Sequence, residues 1–171
     1  MTRRILLVGM MGSGKTTVGK LVADALGWDH RDSDADVEAA TGTTVPDLFA
    51  HQGEAAFRAA EADALLQACA GTDPTVVSVA GGAVLSASNR ALIGASGTVV
   101  WLRARPETLA ARVGDGRGRP LLSEDPAHDL AELDAVRRPL YAEVADLIVD
   151  VDELPPTAVA GRIVATVEVG R

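Results

Sequence analysis

The chain is short of several things, and each shortage removes a class of function. One cysteine, Cys69, occurs in 171 residues. No internal disulfide can form, which excludes a disulfide-built scaffold and leaves Cys69, in an alanine- and leucine-rich stretch, as a small buried apolar residue by default. Aromatic residues make up only 3%, too few for platforms on which bases stack. Positive charge is also scarce, since 16 Lys and Arg face 24 Asp and Glu for a net charge of −8; a nucleic-acid backbone needs a basic face and is not the expected partner. No apolar run has the length of a membrane span and no secretory leader pattern is seen. A cytosolic protein without membrane or nucleic-acid partners, and a monomer, is the expectation. The histidines His30, His51 and His128 are scattered, with no neighbour at metal-ligand spacing, and are read as surface or packing residues. Asparagine occurs once, at Asn89, so the N-K-x-D signature common among GTP readers is absent.

Lysine is scarcer still, with Lys15 and Lys20 against fourteen arginines, and this shortage gives Lys15 its weight. It lies in Gly9-Met10-Met11-Gly12-Ser13-Gly14-Lys15-Thr16, which fits the phosphate-loop pattern G-x-x-x-x-G-K-[ST]. An apolar run at 5–8 reads as a buried strand before it, and Val18, Leu21, Val22, Ala25 and Leu26 follow at helical spacing. Glycines let successive N–H groups turn inward round a phosphate, and the helix start adds a favourable dipole. Gly12, Ser13, Gly14, Lys15, Thr16 and Thr17 are therefore the expected nucleotide-holding set, with Lys15 on the terminal phosphates and the Thr16 hydroxyl on Mg²⁺.

Strand and helix alternate along the rest of the chain. Strands are expected at 4–8, 30–32, 75–79, 98–102 and 147–151. Helices are expected at 15–26, 36–40, 45–50, 53–69, 89–93, 106–113, 126–144 and 157–169, with Pro139 kinking or breaking the penultimate one. The fold class that follows is α/β, three layers with a parallel five-stranded sheet between helices, in a single domain over 1–171.

Several constellations lie on this frame. Asp32-Ser33-Asp34 ends the second strand, where residues two apart point one way, so both carboxylates can face a cleft at the carboxyl ends of the strands. One acid can hold water on Mg²⁺ while the other aims an acceptor hydroxyl at the γ-phosphate; the competing reading is a helix N-cap, and the upstream loop favours function. Arg58 and Glu61 are three apart on one helix, either as an ordinary surface ion pair or with Glu61 posing Arg58 for a substrate carboxylate. Gly81-Gly82, after Ala80, permits a close approach of ligand or backbone, or is a plain turn. Gly114, Gly116 and Gly118 alternate with Asp115, Arg117 and Arg119, which suits a mobile lid at 112–125 that excludes water and brings a cation to the transferring phosphoryl. Arg137-Arg138-Pro139-Leu140-Tyr141 sets an arginine just before a proline.

In this order, GMMGSGKTTVG, DSD followed by Glu38 and Thr41-Gly42, GEAAFR with Glu61, AGGAV, RPLL and RRPLY resemble the shikimate kinases nearly end to end. These are small members of the nucleoside-monophosphate-kinase-like P-loop kinase fold. The resemblance implies transfer of the γ-phosphoryl of ATP to the 3-hydroxyl of shikimate, with Mg²⁺, in aromatic amino-acid biosynthesis. It implies a substrate-binding region at 33–61, Asp34 on the acceptor hydroxyls, Arg58 and Arg137 on the carboxylate with Gly81 and Gly82 lining that pocket, Arg119 as the lid arginine, Arg112 packed on adenine, and Asp32 acting on Mg²⁺ through water. Two departures stand out. Ala80 replaces the first of three usual glycines, harmless at negative φ and costly at positive φ; and 152–156 lacks an arginine often found beside the adenine. A gluconate-type sugar-acid kinase shares loop and fold but is not expected to combine GEAAFR, RPLL and R-x-P-L-Y, and an ATP-sensing module without turnover is the alternative outside enzymes.

Overall fold

The computed structural model describes residues 3–169; positions 1–2 and 170–171 of the expected domain lie outside the described residues. The elements run β1 (Arg4–Val8), α1 (Lys15–Leu26), β2 (Asp29–Asp32), α2 (Ser33–Thr41), α3 (Val45–Ala70), β3 (Thr75–Ser78), a short 3₁₀ turn (Ala83–Leu85), α4 (Ala87–Ser96), β4 (Thr98–Arg103), α5 (Pro106–Val113), α6 (Pro126–Val144), β5 (Leu147–Asp150) and α7 (Pro156–Val169). The five strands form one parallel sheet in the order β2-β3-β1-β4-β5. α1 packs on β1 and β3 with α7 beside it, while α4 and α6 pack on β4 with α3 and α5 beside them. Both faces of the sheet are thus covered, which is why β1, β3 and β4 read as unbroken apolar runs rather than alternating ones; Ile5, Leu6 and Leu7 have no exposed surface.

The topology fixes where a ligand binds. The chain leaves β1 for β2 and β3 on one side, then crosses to β4 and β5 on the other. The strand order reverses beside the carboxyl end of β1, where open α/β sheets leave a crevice, and the glycine loop 9–14 lies there. A smaller cluster of Val37, Leu48, Phe57 and Ala64 ties α2 to α3 outside the main core.

Four local expectations need correction. α2 begins at Ser33, not at 36, because the Asp32 side chain caps it; Asp34 therefore stands in a first helical turn rather than on extended chain. The helices expected at 45–50 and 53–69 meet in α3 at Gly53, whose φ of 83° marks a break that glycine tolerates. α4 is longer than 89–93, since Ser86 caps it by accepting from Asn89 N. α6 runs on through Pro139. A mid-helix proline costs about 3 kcal/mol, but burial of Leu130, Arg137 and Tyr141 anchors the helix on both sides of it. Cys69 is only half-buried, at the margin of the core.

Candidate active site

Gly9, Gly12 and Gly14 have φ of 145°, 82° and 94°, so the loop closes through conformations that side-chain-bearing residues rarely adopt. At Gly9 a Cβ would also lie 2.6 Å from the Leu102 carbonyl oxygen. No side chain caps α1 at Gly14, which leaves the helix's first N–H groups for an anion. Lys15 arches back over the loop, its Nζ donating to the Gly9 (2.8 Å) and Met10 (3.0 Å) carbonyls. Desolvation lowers its pKa to about 8, opposed by the charges of Asp34 and Asp32.

The helix-cap reading of Asp32 holds, and its second oxygen faces the phosphate loop. The Thr16 hydroxyl donates to Asp32 Oδ2 (2.5 Å), while Asp32 Oδ1 accepts from Asp34 N (3.0 Å). One carboxylate thus caps α2 and faces the phosphate loop together. Asp34 opens onto the cleft, yet the surrounding walls strip enough water to raise its pKa, with the Asp32 charge adding and Lys15 opposing.

Across the cleft, Arg58 Nη1 donates to Glu61 Oε1 (3.0 Å) and Oε2 (2.9 Å). Glu61 is 2% exposed, so this is no surface ion pair; a buried carboxylate holds the guanidinium in one pose. Burial raises the Glu61 pKa and Arg58 pulls it back. A Cβ on Gly82 would meet Arg58 Cζ at 2.7 Å, so the guanidinium lies on bare backbone and the glycine pair is more than a turn. Ala80 does no harm, because among the described residues no non-glycine has positive φ. Arg137 is 2% exposed, its Nε has no hydrogen-bond partner, and among the described residues no carboxylate pairs with it.

One cleft of about 380 Å³ gathers Gly12, Gly14, Lys15, Thr16, Thr17, Asp32, Asp34, Arg58, Gly81, Gly82, Arg119 and Arg137. Two expected residues stand outside it. Ser13 is buried with its hydroxyl unpartnered. Arg112 ties the Gly12 carbonyl (3.3 Å) to the Val151 carbonyl (2.8 Å). Arg119, Pro120 and Leu121, from the segment expected as a lid, line the cleft. The sequence reading missed the apolar wall of Met11, Val45, Phe49, Phe57 and Val79. The signal for part of it was available: Phe49 and Phe57 are two of the chain's five aromatic residues, and their rings meet at 6.0 Å.

The chain is similar to known proteins in sequence and in fold. The shikimate kinase family model matches residues 11–168. A shikimate kinase of Pseudomonas syringae pv. syringae is 42% identical over 164 residues, covering 95% of each chain. One from Halorhodospira halophila is 46% identical over 166 residues, covering 96% of this chain and 93% of that one. The structure of shikimate kinase from Acinetobacter baumannii in complex with shikimate superposes with a TM-score of 0.95 at 35% identity, covering 100% of this chain and 96% of the other. Deoxyadenosine kinase from M. mycoides, at 14% identity and a TM-score of 0.61, shares the fold alone.

Proposed function

Since the chain belongs to the shikimate kinase family, we propose how its residues carry out the ATP-dependent phosphorylation of the 3-hydroxyl of shikimate, which yields shikimate 3-phosphate and ADP. The observation that carries the assignment of residues is Arg137. A guanidinium buried without a counter-ion is costly unless a ligand supplies one, and a substrate carboxylate in the cleft does so. Arg58, posed by Glu61, is the second arm of a bidentate grip. Held there, the acid presents its hydroxyls towards Asp34 and the phosphate loop.

The loop's N–H groups and Lys15 hold the triphosphate. Asp34 accepts a hydrogen bond from the acceptor hydroxyl and aims it. Its raised pKa makes it a stronger base than an ordinary carboxylate, although a loose transition state asks little of a base. Arg119 brings positive charge to the transferring phosphoryl as the lid at 112–125 closes and excludes water. Arg112, tied between Gly12 and Val151, flanks the base. Thr16 and Asp32 are hard oxygen donors side by side at the loop mouth and suit Mg²⁺, which is held by few protein groups plus phosphates and water. When bound, the ion neutralises phosphate charge. The same reading has a monomeric enzyme in the cytosol; among the described residues no helix is long and apolar enough to cross a membrane.

The test is ADP release measured with shikimate, quinate, gluconate and nucleoside monophosphates in turn. Shikimate alone is expected to support rapid turnover. Equal rates with gluconate or a nucleotide would overturn the assignment, and release indifferent to any acceptor would point to a nucleotide-binding module.

Lys15 supplies a pH prediction. Its ammonium is half-deprotonated at about pH 8 in the free protein, and phosphate oxygens favour the charged form. Nucleotide binding just above that pH is therefore expected to take up as much as one proton, and affinity is expected to fall as pH rises through about 8. Calorimetry in two buffers of different ionisation enthalpy checks this; heats that do not depend on the buffer would contradict it.

A further inference from the structure

We propose that Tyr141 is a positioning residue for the substrate's carboxylate, its one hydroxyl setting the Gly81-Gly82 backbone and the Arg137 guanidinium at once. The proposal rests on Arg58 and Arg137 being the pair that faces that carboxylate.

Tyr141 is the only tyrosine of the chain and is 1% exposed. Its hydroxyl donates to the Gly81 carbonyl oxygen at 2.6 Å. Arg137 stands one turn earlier on the same face of α6, and its charge acts on the same phenol. The three groups meet closely, since a Cβ on Gly81 would lie 3.4 Å from Arg137 Nη1 and 3.5 Å from Tyr141 Oη. A phenol has one hydrogen to give. Having given it to Gly81, the oxygen has only lone pairs left to turn towards the Arg137 charge. The guanidinium is thereby held beside Gly81 at the cleft it lines.

The ring cannot swing to relax this arrangement. Trp101 packs on it with centroids 5.7 Å apart. Arg138, bonded to Asp134 (2.8 Å) and to the Ala104 carbonyl (3.1 Å), lies over that tryptophan. The backbone beyond Gly81 is held in the same way, by Asn89 Nδ2 on the Ala83 carbonyl (3.1 Å) and Arg90 on that of Val84 (2.8 Å). Gly82 in turn is the bed on which Arg58 lies. One hydroxyl thus bears on both arginines through the glycine backbone, Arg137 beside Gly81 and Arg58 on Gly82. Arg137, Arg138 and Tyr141 form a working unit in which one arginine faces the substrate, the next locks the core, and the tyrosine joins them to the sheet edge.

Tyr141→Phe removes the hydroxyl and keeps the ring. The KM for shikimate is expected to rise roughly tenfold, with kcat changed less than about threefold and the KM for ATP unchanged, the cost of leaving the buried Gly81 carbonyl unpaired and the backbone beneath both arginines free to shift. Affinity for the neutral carboxamide of shikimate is expected to be the same in variant and parent, because it offers Arg137 no charge. Should the variant fold poorly, the parent protein grown with 3-fluorotyrosine gives a single ¹⁹F resonance, expected to move with shikimate and not with the carboxamide. An unchanged KM for shikimate, an equal loss for ATP and shikimate, an equal loss for shikimate and carboxamide, or a fluorine signal indifferent to shikimate would each overturn the role. A parent enzyme inactive towards shikimate would instead sink the functional assignment beneath it.

Discussion

Lys15→Ala is expected to lower kcat by about three orders of magnitude or more, since removing even one preorganised donor from a developing charge costs about 10²–10³ and here a full positive charge goes too. Its Nζ lies on the Gly9 and Met10 carbonyls at the rim of the phosphate loop, and desolvation makes its field stronger than in water. Nothing nearby replaces it. Lys20, the one other lysine, is exposed on the flank of α1, and Arg119 approaches from the lid on the far side. The fold does have a stake in the residue, because the two carbonyls it leaves belong to buried Gly9 and Met10, so some loss of stability is expected beside the loss of kcat. Rapid-quench turnover at saturating ATP and shikimate, with circular dichroism as the control, tests the prediction; a kcat within tenfold of the parent would remove the lysine from the mechanism.

Arg137→Met is expected to cut kcat/KM for shikimate by about 30- to 5,000-fold, the equivalent of about 2–5 kcal/mol for truncating one partner of a desolvated charge pair, while the KM for ATP hardly moves. Stability should change the other way. Arg137 is fully buried without a carboxylate partner among the described residues, and replacing buried charge by apolar atoms of similar volume is often neutral or stabilising. A Tm equal to or above that of the parent is therefore expected alongside crippled catalysis. A lower Tm with normal shikimate kinetics would make Arg137 a structural residue.

Much of this was legible in the chain. The glycine loop announced its conformation, because Gly12 and Gly14 are needed where φ is positive, and the apolar segments announced β1, β3, β4 and β5, though not the polar β2, Asp-His-Arg-Asp. The site was less legible where one residue does two things. Asp32 was weighed as a cap against a metal partner, yet its two oxygens do separate work, one on Asp34 N and one on the Thr16 hydroxyl. Periodicity cannot divide a carboxylate in this way. Arg58 and Glu61 were left open between surface pair and positioned grip, because spacing says nothing of burial, and burial decides it. Of the kink or break expected at Pro139, the break does not occur, because the local cost is met by tertiary anchors on either side. Tyr141 carried no signal of its own; its meaning depends on Gly81, sixty residues away in sequence and 2.6 Å away in space.

The strand order also bears on biosynthesis of the chain itself. β1 pairs only with β3 and β4, Arg4 opposite Thr75 and Ile5 opposite Thr98. The first strand to leave the ribosome therefore waits for both of its neighbours. At about 5–20 residues per second, the delay until β4 is made lasts roughly 5–20 s. Throughout that interval the apolar run Ile5 to Val8 has no complete sheet to join. Exposure to aggregation and to chaperones is expected to be greatest between synthesis of β1 and of β4, and the phosphate loop at the end of β1 is expected to be fixed only once the centre of the sheet has closed.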